Sequence, residues 1–292
     1  MKVAIFGKIF NDNLHQIISN LMYKLYEHNV ELYVYQPFYN YLVTEKKFKI
    51  TTCGFFTCNA DLPKDIDFLI SIGGDGTFLE TITLVHDSDI PIVGFNSGRL
   101  GFLANISSTE MDVALDNLLS KNYAIEKRSI LRVSATNQIF GDFPCALNEC
   151  TIQKTSSSLL TIHVKINGEF LTSYWADGLI IATPTGSTAY SLSVGGPIVT
   201  PESQNFIITP IAAHNLNVRP LIIPDSAVLK LSVEGRTNNF LTTIDSRSEI
   251  IGIENEIIIS KASFSINMIK LPHINFYSTL SNKLMWGADK RN

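Results

Sequence analysis

The chain has 292 residues, of which 45% are hydrophobic and 17% charged, and 23 Lys and Arg stand against 27 Asp and Glu for a net charge of −4. An apolar share this high excludes intrinsic disorder, and the lack of a basic surplus or basic block argues against nucleic acid as a partner. No apolar stretch reaches the roughly 18 to 20 residues of a membrane helix, so no membrane partner is expected either.

Residues 3–6 (VAIF) beside Gly7 read as a buried first strand. This run is too short for a secretory leader, and Lys8 interrupts it early, so the chain is expected in the cytoplasm. Leu14, Ile17, Ile18, Leu21 and Leu25 recur at helical spacing, with Asn11, Asp12 or Asn13 available as the cap. Residues 31–35 read as a second strand. The stretch 36–60 is aromatic and polar without a clean period, and reads as irregular with room for a short helix. Residues 67–72 (DFLISI) form another buried strand that leads directly into Gly73-Gly74-Asp75-Gly76-Thr77. Residues 77–86 have helical character, 91–95 read as a strand, and Met111, Leu115, Leu118 and Leu119 share a face of a helix over 109–120. This alternation predicts a parallel α/β sheet with helices on both faces.

Beyond residue 122 the pattern changes to short strands at 130–135, 147–153, 159–166, 170–175, 179–183, 206–212, 227–233, 240–244, 256–260 and 264–271. Asn167-Gly168 marks a hairpin, because both turn positions need positive φ. The second part is expected to be a β-sandwich or a related architecture. A final helix over 276–286, with Phe276, Leu280, Leu284 and Tyr277 on one side, is expected to return to the first domain. The expected division is therefore an α/β nucleotide-binding domain, 1–122, completed by the tail 272–292, and a β-rich domain, 123–271. Cys53 and Cys58 are five residues apart, as are Cys145 and Cys150, with no further ligands nearby. They read as buried or half-buried thiols rather than a metal site.

The Gly73–Thr77 loop carries the clearest chemistry. It sits where a strand meets a helix, at the carboxyl edge of a parallel sheet, where open α/β sheets bind ligands. Glycines let the backbone approach a ligand closely, and a helix N-terminus attracts phosphate. A carboxylate there would repel phosphate, so Asp75 must face another group. A hydroxyl that attacks the bound phosphate fits: the carboxylate orients it and takes its proton. The bland alternative is a glycine-rich turn whose aspartate caps the helix. Neither GxxxxGK[ST] nor GxGxxG occurs.

A second segment, running from Asp177-Gly178 through TPTGSTAYSLSVGGPI to Val199, joins this loop with Asn148-Glu149 and NSGRLGFL at 96–103. In combination these motifs resemble the NAD kinase family from the first strand to the terminal helix. The resemblance implies a two-domain fold with an α/β N-terminal domain and a mainly β C-terminal domain. It implies transfer of the γ-phosphoryl of ATP to the 2′-hydroxyl of the adenosine ribose of NAD, with Mg2+ or another divalent metal. It also implies a homodimer or homotetramer whose active site lies between domains and is lined by a neighbouring subunit. Position by position, Asp75 would be the base and Gly74 and Gly76 would lie along phosphates. Asn148 and Glu149 would bind ribose hydroxyls, and Asp177 the nicotinamide end, from the neighbouring subunit. Thr188, Ala189, Tyr190, Ser191, Leu192 and Ser193 would line the adenine and its ribose. Phe102 and Leu103 would flank the adenine, and Ala212 would line the pocket. No protein metal ligand is assigned.

The chain departs from the family pattern at Trp175-Ala176, where many bacterial members carry Arg-Ser or a similar basic residue, and at Leu159, where some members carry Arg or His. Lys154, His163, His214, Arg219, Arg247 or a neighbouring subunit would have to replace the lost cation. Two other readings compete: a lipid kinase, which shares GGDGT but not the 177–199 segment, and a dinucleotide sensor, which would lack the catalytic acid.

Overall fold

The computed structural model describes residues 1–10, 14–98, 100–272 and 274–286. The chain divides into two units, Met1–Lys127 with Ile266–Asn292, and Arg128–Ser265. In chain order the first unit contains β1 (Lys2–Gly7), α1 (His15–Glu27), β2 (Glu31–Tyr35), α2 (Gln36–Thr44), β3 (Gly54–Phe56), β4 (Phe68–Gly73), α3 (Asp75–Val85), β5 (Ile92–Asn96) and α4 (Met111–Leu119). Its strands lie in the order β5-β4-β1-β2-β3, and every pairing is parallel. The order reverses between β1 and β4, which places the carboxyl end of β4 at the topological switch point.

Strand alternation divides the helices between the two faces. Phe68, Ile70 and Ile72 of β4 join a cluster with Ile18 and Leu21 of α1, Phe38 and Leu42 of α2, and Leu115 and Leu118 of α4. Ser71 points the other way and accepts a hydrogen bond from Thr81 of α3 at 2.9 Å. The expected helix cap at Asn11, Asp12 or Asn13 lies outside the described residues. Leu14 occupies the N-cap position, without a side-chain cap bond. Residues 36–60 are more regular than the sequence suggests. Pro37 sits in the first turn of α2, whose buried face is Phe38, Tyr41 and Leu42, at the i, i+3, i+4 spacing of a helix.

The second unit is mainly β. Its elements are β6 (Ala124–Ala135), which starts in the first unit, β7 (Cys145–Ala146), β8 (Glu149–Gln153), β9 (Leu160–Ile166), β10 (Glu169–Ala176), β11 (Gly178–Ala182), the short helix α5 (Tyr190–Ser193), β12 (Asn205–Ile211), β13 (Leu221–Pro224), β14 (Leu229–Gly235), β15 (Asn239–Ile244), β16 (Arg247–Gly252) and β17 (Ile257–Lys270). Six strands form an antiparallel sheet in the order β13-β12-β11-β8-β15-β16. A second antiparallel layer contains β10, β9, β14 and the first part of β17. Ile162, Val164, Leu229 and Leu231 of that layer share one core with Ile152, Ile181, Phe206, Ile208 and Phe240 of the six-stranded sheet. The Asn167-Gly168 hairpin forms with φ of 52° and 88°.

Three strands of this unit, β7, β13 and β16, fall where no strand is expected, and the runs at 256–260 and 264–271 are one continuous β17. Met268, near its end, pairs in parallel with Ile92 of β5. The last element, α6 (Phe276–Leu284), is capped by Asn275, which accepts from the Ser278 amide at 2.9 Å. Its buried residue is Thr279, with Phe276, Leu280 and Leu284 half-buried, whereas Tyr277 is exposed. None of the four cysteines is in a disulfide. Cys145 and Cys150 are buried, but Cys53 and Cys58 are exposed, because they lie in the loops on either side of the three-residue strand β3. No described helix is long and apolar enough to cross a membrane.

Candidate active site

In the first unit the site is built at the end of β4. Gly74 is the N-cap of α3 and Asp75 its first residue, so the carboxylate stands at the positive end of the helix dipole. Gly74 and Gly76 are exposed, and open space surrounds both. The loop after β5 folds back over Asp75. Asn96 holds this loop by donating to the Ala104 carbonyl at 3.1 Å, and the Gly101 amide donates to the same carbonyl at 3.0 Å. The amides of Phe102, Leu103 and Ala104 then each donate to the Asp75 carboxylate at 3.0 Å. Gly101 is required here, since a Cβ on it would collide with that carboxylate. A fourth donor comes from α6: Lys283 Nζ lies 3.3 Å from Asp75 Oδ2 and 4.7 Å from the centre of the Phe102 ring. Leu103 is buried, with 3% of its surface exposed, whereas Phe102 is half-buried.

In the second unit Asn148 immediately precedes β8 and Glu149 is its first residue. Both are buried. Asp245, in the tight turn between β15 and β16, accepts from the amides of Leu147 at 2.9 Å, Asn148 at 2.8 Å and Glu149 at 3.3 Å. It does so at a φ of 50°, which aspartate tolerates. Burial pushes the Asp245 carboxyl up to about 6, against the pull of those amides and of Arg247. Burial, then the neighbouring Asp245, pushes Glu149 up to about 8, although the Tyr190 amide bonds to it. Glu149 Oε2 is buried with no hydrogen-bond partner.

The TPTGSTAY segment is fastened to the same place. The Thr183 hydroxyl donates to the Leu147 carbonyl, and the Thr183 amide donates to the Asn148 carbonyl at 2.8 Å. Gly186 lies so close to the Asn148 carbonyl that a Cβ would overlap it. Thr188 and Ala189 are half-buried and Tyr190 is exposed, as is Ser193, with Leu192 half-buried. Ser191 turns inward, its hydroxyl 2.9 Å from that of Thr209.

Asp177 and Ala212 lie elsewhere in this unit. Glu149 pairs with Ala182 at one end of β11, and Asp177 precedes Gly178 at the other. Five residues of extended strand, about 17 Å, separate the two ends. Lys154 pairs with Asp177 at 2.5 Å, and the Asp177 amide donates to the Ile211 carbonyl at 3.0 Å, next to Ala212. Trp175 is exposed, and its amide donates to Asn215 at 2.7 Å.

Of the cations considered as replacements, Arg247 donates to the carbonyls of Phe143 and Cys145, both at 2.6 Å, and Arg219 to the carbonyls of Leu216 and Val218. His163 lies against Ser173 and Glu234. The sequence reading missed Asp245 and Lys283. Asp245 was visible only as an Asp-Ser pair ending a strand-like run, and Lys283 only as a cation on a terminal helix. No spacing ties either one to its partner. Among the described residues, no group of three or more His, Cys, Asp or Glu is placed to hold a metal ion.

The family model for the ATP-NAD kinase N-terminal domain matches residues 3–123, and that for the ATP-NAD kinase C-terminal domain matches 147–271. The chain is 47% identical to the NAD kinase of Flavobacterium psychrophilum over 295 residues, covering 100% of both chains. It is 44% identical to that of Bacteroides fragilis over 292 residues, again covering 100% of both. Among solved structures, yeast NADH kinase complexed with NADH superposes with a TM-score of 0.86 at 23% identity, covering 99% of this chain and 88% of that one. An NAD kinase from Archaeoglobus fulgidus in complex with ATP gives 0.74 at 24% identity, covering 98% and 99%. These two structures share the fold.

Proposed function

The chain belongs to the NAD kinase family, and on that premise we propose that it transfers the γ-phosphoryl of ATP to the 2′-hydroxyl of the adenosine ribose of NAD, with Asp75 as the base. It is an enzyme, a kinase that phosphorylates NAD. The observation that carries the assignment of Asp75 is its place: a carboxylate at the head of α3, at the switch point of the sheet, between two exposed glycines. Gly74 and Gly76 leave room for phosphate oxygens beside the helix N-terminus. The carboxylate takes the hydroxyl proton as the oxygen bonds to phosphorus and ADP leaves.

Asn148 and Glu149 are assigned to the ribose hydroxyls. The unpartnered Glu149 Oε2 supports this, because a sugar hydroxyl would supply the missing donor. Thr188, Ala189, Tyr190, Leu192 and Ser193 are assigned to the adenosine, with Tyr190 offering an accessible ring. Ser191 is placed to hold their backbone rather than the ligand, through Thr209. Phe102 is the better candidate of the Phe102-Leu103 pair for the adenine, since Leu103 is buried. Asp177 and Ala212 would meet the nicotinamide end, in a neighbouring subunit's site. A homo-oligomer suits the exposed Phe170, Leu171 and Trp175 of β10, a strand that pairs only with β9 among the described residues.

The four acceptor positions of Asp75 are met by protein donors, so the described residues do not form a protein cage for a divalent metal. Mg2+ would instead enter with the triphosphate, where phosphate oxygens and water would supply its ligands. When bound, it supplies positive charge to the phosphate chain. Four cysteines without a disulfide, two of them exposed, suit a reducing compartment, and we assign the chain to the cytoplasm.

Incubation with ATP and NAD, read by the NADP-dependent glucose-6-phosphate dehydrogenase reaction, tests the activity. Inorganic polyphosphate in place of ATP tests the donor. Asp75→Asn is expected to bind NAD and lose roughly 10²- to 10⁴-fold in turnover. Near-normal turnover would remove Asp75 from the mechanism.

A further inference from the structure

The carboxylate that is to act as base has no vacancy. An ionised carboxylate offers about four acceptor positions, and Phe102, Leu103, Ala104 and Lys283 contribute four donors. One must leave before a sugar hydroxyl can bind. The three amides belong to a loop held down by Asn96, by the Gly101–Ala104 bond and by the bridge between Phe95 and Ile106. Lys283 differs in every respect. Its contact, at 3.3 Å, is the longest of the four, and its side chain is 32% exposed. Its ammonium rides on a flexible four-carbon stem and rests over the Phe102 ring. A half-exposed pair of this kind adds little to folding stability, so stability does not explain its place against Asp75.

We propose that Lys283 is a phosphate-binding residue of the reaction. Its ammonium leaves Asp75 for the phosphate chain of ATP as the donor substrate arrives at the head of α3. The triphosphate carries more negative charge than one carboxylate and offers several oxygens, so it competes for the ammonium. The exchange has two results. It neutralises charge on the phosphate chain, and it frees one position at Asp75 Oδ2 for the 2′-hydroxyl. The oxygen–phosphorus bond then forms, the bond from the γ-phosphorus to the bridging oxygen breaks with ADP leaving, and the hydroxyl proton passes to Oδ2. The base is thus withheld until the phosphoryl donor is in place. This inference rests on the reading of Asp75 given above.

The test uses the full-length wild type, Lys283→Met, Lys283→Arg and Asp75→Asn, with inorganic tripolyphosphate as a calorimetric probe and steady-state kinetics beside it. Lys283→Met is expected to weaken tripolyphosphate binding and raise the KM for ATP by roughly tenfold or more, with the KM for NAD within about twofold of wild type. Lys283→Arg keeps most of the tripolyphosphate affinity. Asp75→Asn, which releases the ammonium, binds tripolyphosphate at least as tightly as wild type while losing turnover. Unchanged tripolyphosphate affinity and unchanged KM for ATP in Lys283→Met would overturn the proposal. So would a loss of tripolyphosphate binding in Asp75→Asn equal to that in Lys283→Met, which would make the pair a purely structural contact. If Lys283→Met does not fold, the same comparison is made with Lys283→Gln. The calorimetric arm contains no NAD, so it still reads the lysine if wild type proves not to phosphorylate NAD with ATP.

Discussion

Two carboxylates, Glu149 and Asp245, are bound into one short stretch of backbone, and both are held above the ordinary carboxylate range. Their folded forms therefore bind protons that the unfolded chain has already lost. Stability is greatest below the unfolded values and falls as pH rises through the folded ones, from about 4 to about 8 for this pair. The melting temperature of the ligand-free protein is expected to fall across this window in a calorimetric pH series. Glu149→Gln should flatten most of the slope and raise the melting temperature near pH 8, by about 2–4 °C for each kcal/mol recovered. An equally steep slope in that variant would show that Glu149 is not the source. Gly101 makes a second local demand. Gly101→Ala pushes the Cβ into the Asp75 carboxylate, so it should cost about 1–3 kcal/mol in denaturant unfolding. Its turnover should fall as well, because the three amides that orient the carboxylate are displaced with the loop.

Hairpins and helices show where local sequence is decisive and where it is not. The turn at Asn167-Gly168 forms as its residues dictate, with both φ values positive. Gly168→Ala is expected to cost about 1 kcal/mol or more at that φ and to leave the KM for both substrates unchanged, a contrast with Gly101→Ala that the same assays would reveal. By contrast, α2 was hidden. Its helical face is only three residues long, and Tyr41 gains its place from a distant partner, donating to the Phe10 carbonyl at 3.0 Å and accepting from the Phe10 amide at 3.3 Å. In the same way β13 and β16 leave no alternating hydropathy in the sequence, because in these short edge strands Ile223 and Ile251 are buried while the adjacent Ile222 and Ile250 are exposed. Strand β17 reads as two strands in the sequence because Lys261, Ser263 and Ser265 interrupt its apolar character midway.

The proposed homo-oligomer bears on how the groups at the two ends of β11 would be used. Glu149 and Asp177 are about 17 Å apart along one strand pair. If Asp177 serves a neighbouring subunit, a mixed oligomer of Glu149→Ala and Asp177→Ala chains contains some sites with both residues intact. Co-expression of the two inactive variants is then expected to restore part of the NADP-forming activity, and an absence of rescue would place both residues in one subunit's site. Separately, Trp175→Lys on the exposed edge strand β10 should shift the mass measured by light scattering toward the monomer.

Local residue chemistry was sufficient for the alternation of β and α in the first unit, the switch to short strands in the second, the Gly73–Thr77 loop and the family resemblance. Hydrophobic period, turn residues and a strand-to-helix glycine loop are all encoded within a few neighbouring positions. Tertiary structure alone brought Asp245 under the amides of residues 147–149, folded the 102–104 amides onto Asp75, and carried Lys283 to the same carboxylate. These contacts join residues 27 to 208 positions apart. Such contacts form only because buried strands and a returning helix close long stretches of chain, and no local pattern records which ends will meet.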